Sequence, residues 1–325
     1  MEQHNVLLIG GAGFLGSHVA HLLSRRGFRI TVATRRRERA KHLILLPTTE
    51  VIEADVHDSA QLAGLAAGQD AVINMVGILH SRGGAPYGRD FAAAHVELPR
   101  KIVAACRKAH VRRLLHISAL QAARDAPSEY LRSKADGEAA IQESGRHEAE
   151  GGAIAWTIFR PSVIFGPGDS FLNMFAALLR RFPLLPLGCA EAQFQPVYVE
   201  DVAACIVDSL MNPQSAGQTY ELCGPNVYAL RELVAYVGEV IGRPRPILGL
   251  PDWLAYIQAA ALELAPGKLM SRDNVRSMRI DNICSGDCPL PFGREPTPLE
   301  GVAAEYLAAQ LPRSRFVRFR TKARR

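Results

Sequence analysis

The chain has 325 residues, 48% of them apolar and 22% charged, with a formal net charge of +6. That length holds one large α/β domain, or such a domain with a smaller appended one, in ordinary globular proportions. No uninterrupted apolar run reaches the roughly 18–20 residues needed to cross a bilayer, and no leader-like segment precedes the first apolar run, Val6 to Ile9, so a cytoplasmic location is expected. The charge is also localised: Arg313, Arg315, Arg318, Arg320, Lys322, Arg324 and Arg325 lie between Pro312 and the last residue with no acidic residue among them. Without these seven the chain carries −1, so no basic face belongs to the fold and a nucleic-acid partner is not expected.

In chain order, Asn5 to Ile9 is a short buried strand that runs into glycines and a helix near Phe14 to Arg26. Strands are expected at Phe28 to Thr34, Glu50 to Ala54, Ala71 to Val76, Arg113 to Ser118 and Ala155 to Arg160. Helical spacing of apolar residues marks Asp90 to Ala109 and Ser128 to Gly145 between them. Strands separated by helices imply right-handed crossovers and a Rossmann-type, doubly wound parallel α/β sheet covered on both faces. After Pro161 the chain changes character, with Gly166-Pro167-Gly168-Asp169 and Phe182 to Gly188 reading as loops and helices at Phe171 to Arg181, Glu200 to Leu210 and Leu230 to Ile241. The expected organisation is a dinucleotide-binding domain over 1–160, a smaller, mostly helical substrate lobe over 161–311 that returns a strand or two to the first domain, and a basic tail over 312–325.

Cys106, Cys189, Cys205, Cys223, Cys284 and Cys288 are scattered, mostly in apolar runs. Reduced, buried cysteines are expected from that pattern, not disulfides. Cys284 and Cys288 are four apart but have no second pair at zinc-site spacing, so no metal is expected.

The turn Gly10-Gly11-Ala12-Gly13-Phe14-Leu15-Gly16 follows a strand and opens a helix. Gly10 and Gly13 allow the tight turn and the close approach of a pyrophosphate, Gly16 allows helix and strand to pack closely, and the helix N-terminus faces the phosphates. This context predicts NAD(P)(H) binding. The second expected strand ends at Thr34 and is followed by Arg35, Arg36 and Arg37, where an NAD-selective site normally carries an acid. Cationic groups suit a 2′-phosphate, so NADP(H) is favoured over NAD(H), with Glu38 as the acid that could still reach the ribose. Asp55 and Val56, at the end of the third strand, are placed for the adenine edge, although Asp55 also reads as a turn residue.

Tyr130 and Lys134 are four apart at the start of a helix and share a face. A lysine cation beside a phenol favours the phenolate and would lower its pKa, which suits proton exchange with a carbonyl or alcohol. Ser118, at the end of the preceding strand, completes the catalytic candidates by hydrogen-bonding the same oxygen.

With Asn74-Met75-Val76-Gly77 and Arg160-Pro161-Ser162 added to these motifs, the chain resembles the extended and atypical short-chain dehydrogenase/reductase superfamily. More narrowly, His116 to Leu120, Tyr130 to Gly137, Phe194 to Val199 and Pro251 to Asn274 resemble the nucleotide-binding accessory subunit of respiratory complex I and its bacterial relatives. The resemblance implies nucleotide contacts at Asn74, Val76, Gly77, Lys134 and Pro161, and kinship with sugar-nucleotide epimerases and dehydratases. The sequence departs from the extended enzymes in having only Ser118 where they carry a serine- or threonine-rich run. Three functional classes follow. One is an NADP(H)-dependent oxidoreductase or epimerase acting on a hydroxyl or carbonyl; the others are a nucleotide-bound structural or assembly factor with little turnover, and a redox-sensing regulator. Phe165, Phe171, Met174, Phe175, Arg180 and Gln193 are the lobe residues expected near a substrate. The tail, with Phe316, Val317 and Phe319 among its arginines, reads either as a segment for the anionic inner face of a membrane or as a solvated disordered tail, while the resemblance to the complex I subunit implies a respiratory-complex contact.

Overall fold

The computed structural model describes residues 4–145, 152–264, 269–286 and 289–308; Cys288 and the basic tail lie outside them. The chain divides into two compact units: Met1–Pro161 with Glu200–Leu222 and Cys288–Arg294, and Ser162–Val199 with Cys223–Asp287 and Glu295–Arg325.

In the first unit, β1 (Asn5–Ile9), β2 (Arg29–Thr34), β3 (Thr49–Glu53), β4 (Ala71–Asn74), β5 (Arg113–Ile117) and β6 (Ala155–Pro161) alternate with α1 (Phe14–Arg25), α2 (Ser59–Ala66), α3 (Arg89–Phe91), α4 (Leu98–Lys108) and α5 (Glu129–Glu143). A later stretch of chain adds α7 (Val199–Met211) and β11 (Gln218–Leu222). The seven strands lie in the order β3-β2-β1-β4-β5-β6-β11, and every neighbouring pair is parallel. This is the doubly wound sheet that the alternating pattern requires. Its strands are buried on both faces, as the near-continuous burial of Val6 to Ile9 and Ala71 to Asn74 shows. Strand order reverses between β1 and β4, and the region beyond the carboxyl ends of the strands at such a reversal is where sheets of this kind bind ligands.

The helix expected over 90–109 is interrupted. A π turn spans Ala92–Glu97, just before Pro99 on α4. Pro99 has no N–H to give the carbonyl of His95, so regular pairing cannot pass this point. Gly137 of α5 fits against that same carbonyl; a Cβ there would lie 2.0 Å from His95 O. The irregularity therefore sets His95 tightly against α5.

The second unit holds α6 (Phe171–Arg181), α8 (Leu230–Val240), α9 (Asp252–Leu264), α10 (Arg272–Ser277) and α11 (Leu299–Ala308). Three two-stranded ribbons join them: β7 (Ile164–Phe165) with β10 (Val197–Tyr198), β8 (Leu185–Gly188) with β13 (Ile247–Leu250), and β9 (Gln193–Phe194) with β12 (Tyr228–Ala229). Phe165, Leu172, Phe175, Leu179, Leu233, Val237 and Leu307 form its core. Phe165 and Phe175, expected near a substrate, are core residues, with Phe171 and Met174 packed against them. Arg180 donates to Leu307 O at 3.3 Å.

The cysteine expectation needs correction. Cys223 and Cys284, 61 residues apart, form a disulfide. Gln195 brings them together, because its Oε1 accepts from Cys284 N at 3.0 Å while its Nε2 donates to Gly224 O at 2.8 Å. No local spacing in the sequence encodes that pairing. Cys106, Cys189 and Cys205 are free thiols. Among the described residues, no helix is long and apolar enough to cross a membrane, and no group of His, Cys, Asp or Glu is arranged to hold a metal ion.

Candidate active site at the carboxyl ends of the sheet

The glycine turn joins β1 to α1. Gly10 adopts φ +85°, and a Cβ there would meet the backbone of Met75 and Val76 at 3.0–3.1 Å. The turn therefore lies directly on the end of β4. At Gly16 a Cβ would stand 2.4 Å from Gly10 O, so only glycine lets α1 begin this close to the strand. Gly13 is the N-cap of α1 and has no side chain to cap it, and the first turn carries no acid. Phe14 and Leu15 follow it, so their N–H groups begin a helix whose positive end is left for an anion. These features fit a dinucleotide pyrophosphate.

Beyond β2, Arg35 and Arg36 are exposed, and Thr34 Oγ1 fixes the bend by donating to Arg36 O at 3.1 Å. Glu38 is engaged with Lys41 in an exposed ion pair. Asp55 is a turn residue: its Oδ1 accepts from His57 N at 2.9 Å. Val56 packs against the same core cluster as Val76. Pro161, at the end of β6, accepts from Leu120 N at 3.1 Å and so ties down the loop after Ser118.

A buried polar network lies where β4, β5 and α5 meet. Lys134 is 3% exposed, and its Nζ donates to Ile117 O at 3.0 Å and Val76 O at 3.5 Å. A Cβ on Gly77 would lie 3.5 Å from this Nζ, so the lysine bridges the ends of β4 and β5. Glu138, one helical turn on, is bound by Arg160 through two contacts of 2.8 and 2.5 Å. Burial pulls the Lys134 ammonium down to about 8, against the pull of Glu138.

Asn74 serves this network from within the protein. Its Oδ1 accepts from Val76 N at 3.2 Å, and its Nδ2 donates to His116 Nδ1 at 3.1 Å. The neutral His116 ring thus carries its proton on Nε2, which has no partner among the described residues. Ser118, 4% exposed and on the same face of the strand two residues later, also has an unpartnered hydroxyl. A buried hydroxyl and a buried ring N–H without partners fit a polar ligand end at this corner.

Tyr130 sits in an aromatic group, with its ring centroid 5.5 Å from that of His95 in an edge-on arrangement and 6.1 Å from that of Phe91. Burial pushes its phenol up to about 12. The net shift is thus opposite to the lowering expected from Lys134, and its cause is desolvation of the phenol.

The network contains residues that the helical pattern does not flag as functional. His95 Nε2 accepts from Ile78 N at 3.1 Å, so its Nδ1 donates to Ser133 Oγ at 2.8 Å, and that hydroxyl donates to Tyr130 O. His95 therefore connects the loop after β4 to the tyrosine-bearing turn. Burial, then the neighbouring Lys134, holds the imidazoles of His95 and His116 far below the usual range, at about 2 and about 3. Glu129 takes the N–H groups of Gly84 and Gly88 at 3.2 and 2.9 Å, fastening the same loop to the start of α5.

The model of the NAD dependent epimerase/dehydratase family matches residues 6–223. The chain is 33% identical to NADH dehydrogenase [ubiquinone] 1 alpha subcomplex subunit 9 of Mus musculus, over 92% of this chain and 78% of that protein. It is 28% identical to the ceramide reductase of Caulobacter vibrioides, over 76% of this chain and 74% of that one. Among solved structures, Pal from Bacillus thuringiensis superposes with a TM-score of 0.73 at 14% identity, covering 94% of this chain and all of the other, which is a likeness of fold.

Proposed function

The chain belongs to the NAD dependent epimerase/dehydratase family, whose members bind NAD(P), and we propose that it is an NADP(H)-dependent oxidoreductase acting on a carbonyl/hydroxyl pair. The observation that carries this reading is the corner at Tyr130, Lys134 and Ser118. A phenol, an ammonium held beside Gly77 and an unpartnered hydroxyl occupy neighbouring elements at the end of the sheet. The glycine turn with Phe14 and Leu15 would hold the pyrophosphate, Arg35 and Arg36 a 2′-phosphate, Asp55 and Val56 the adenine, and Val76, Gly77, Lys134 and Pro161 the remainder, with Asn74 holding the end of β4 in place.

When bound, the nicotinamide supplies or accepts a hydride. In the reducing direction Ser118 donates a hydrogen bond to the substrate carbonyl oxygen. Tyr130 gives its phenolic proton to that oxygen as it becomes an alcohol, and Lys134 stabilises the phenolate left behind, which regains a proton from solvent. A phenol near 12 stays protonated at neutral pH and so stands ready as the acid. The ceramide reductase relative supports a reductive chemistry, while the substrate class is left to the assay.

The test is Tyr130→Phe, assayed against a panel of aldehydes, ketones and alcohols by absorbance at the nicotinamide band. Turnover should fall by roughly 10²–10⁴-fold, the contribution of a positioned acid, with NADPH affinity essentially kept. Full activity in this variant would remove the mechanism.

A second reading rests on the respiratory subunit relative. As a nucleotide-bound structural or assembly factor contacting a respiratory complex, the protein would purify with nucleotide in place and show no turnover on any panel member. Its single strand-end hydroxyl and tightly packed Tyr130 favour this reading over a redox sensor.

A further inference from the structure

We propose that α9 and the ribbon beside it form a docking face for an anionic lipid bilayer, in which the helix lies in the headgroup region. The face is independent of the nucleotide site. On α9, Trp253, Ile257, Ala261 and Leu264 recur at helical spacing and are all exposed, with Trp253 at 64%, Ile257 at 58% and Leu264 at 89%. The opposite side of the helix is anchored. Ala255 and Ala259 are buried, and Gln258 Nε2 donates to Pro186 O at 3.0 Å on β8.

The ribbon continues the same surface. A Cβ at Gly188 would meet Ala255 Cβ at 2.9 Å, so this face of β8 is the one that α9 covers. Leu250 pairs with Gly188 and Leu248 with Pro186, and the two leucines, two residues apart, share that face. Leu248 is nevertheless 54% exposed.

The occupant follows from shape and charge. The exposed stripe of α9 carries four apolar residues and no charged one, an arrangement that would be costly in water unless it is covered. At 13 residues the helix is about 20 Å long, too short to span but suited to lying in the interface with its tryptophan at headgroup level. The same unit continues into a tail of seven basic residues and no acid, interleaved with Phe316, Val317 and Phe319. Cationic and apolar groups together match a surface that is both anionic and oily, which a protein partner would have to imitate and a bilayer presents by default.

The test uses the full chain and vesicles of phosphatidylcholine, with or without phosphatidylglycerol. The protein has two tryptophans, and Trp156 packs against the core of the first unit, so a spectral change on binding reports on Trp253. A blue shift and co-sedimentation are expected with phosphatidylglycerol vesicles and not with pure phosphatidylcholine, weakening as salt is raised. Trp253→Ser with Ile257→Ser should weaken binding by about tenfold or more at an unchanged melting temperature, and Trp253→Phe should bind like the parent without the shift. Three results would each overturn the proposal: no binding to either vesicle; equal binding by the double variant; or a concentration-dependent dimer that the double variant abolishes, which would assign the face to a second copy of the chain.

Discussion

The two flanks of the strand-order reversal are built on opposite principles. Along β1, β2 and β3, the groups proposed to meet a nucleotide are backbone N–H groups and exposed side chains, each set by a turn within a few residues: Thr34 bends the chain at Arg36, and Asp55 holds His57. At the corner of β4, β5 and α5 the working groups are buried and wired together across the sequence. Asn74 meets His116, His95 meets both Ile78 and Ser133, and Glu138 meets Arg160. On the proposed function, the first flank would recognise the nucleotide through turn backbone and exposed side chains. The second couples chemistry to stability, because each of its polar groups would cost free energy if its partner were lost.

The sharpest way to break that contrast is to remove a carboxylate from the buried side. Glu138→Ala removes the carboxylate that binds half-buried Arg160, leaving it only the weaker pull of Glu221, and removes the carboxylate that favours the Lys134 ammonium. A loss of about 3–5 kcal/mol of unfolding free energy is expected in denaturant titration, the cost of breaking a buried pair by deleting one partner. Asp55→Ala on the exposed flank should change the same measurement by only about 0.5 kcal/mol or less. Equal losses at the two sites would erase the distinction.

Acid stability gives an effect of similar size with a defined sign. His95 and His116 are neutral in the fold, at about 2 and about 3, while an unfolded chain takes up their protons near 6.5. The unfolded state thus binds more protons below about pH 6.5, and stability contributed by the neutral rings is lost as pH falls from there toward 3, at about 1.4 kcal/mol per pH unit for each histidine. In His95→Asn, urea midpoints measured from pH 7 to pH 4 should fall less steeply than in the parent. Unchanged slopes would mean that His95 takes up its proton as readily in the fold as in the unfolded chain.

This contrast also explains what the sequence made legible. The sheet, the glycine turn and the pairing of Tyr130 with Lys134 on one helical face are short-range patterns, carried by periodicity and by backbone angles that favour glycine at Gly10. The position of Arg35 and Arg36 follows from the end of β2 alone. The buried network could not be read in this way, because His95 looks like an ordinary apolar-face residue until Pro99 and Gly137 are seen to press it against α5. Likewise, Cys223 and Cys284 meet through Gln195, which no spacing reveals. The net shift of Tyr130 runs opposite to the one expected from Lys134 for a related reason. The shared helical face was legible, whereas the desolvation of the phenol depends on how the whole corner is packed.

The most direct test is calorimetric titration of the purified chain with NADPH and with NADH, repeated on Arg35→Asp. The account predicts that both nucleotides bind at one site and that NADPH binds more tightly. The Arg35→Asp change should narrow the gap by on the order of 1–3 kcal/mol, the range for hydrogen bonds to a charged group. Equal affinities in the parent chain would contradict the role given to Arg35 and Arg36, and no heat with either nucleotide would contradict the reading of the site itself.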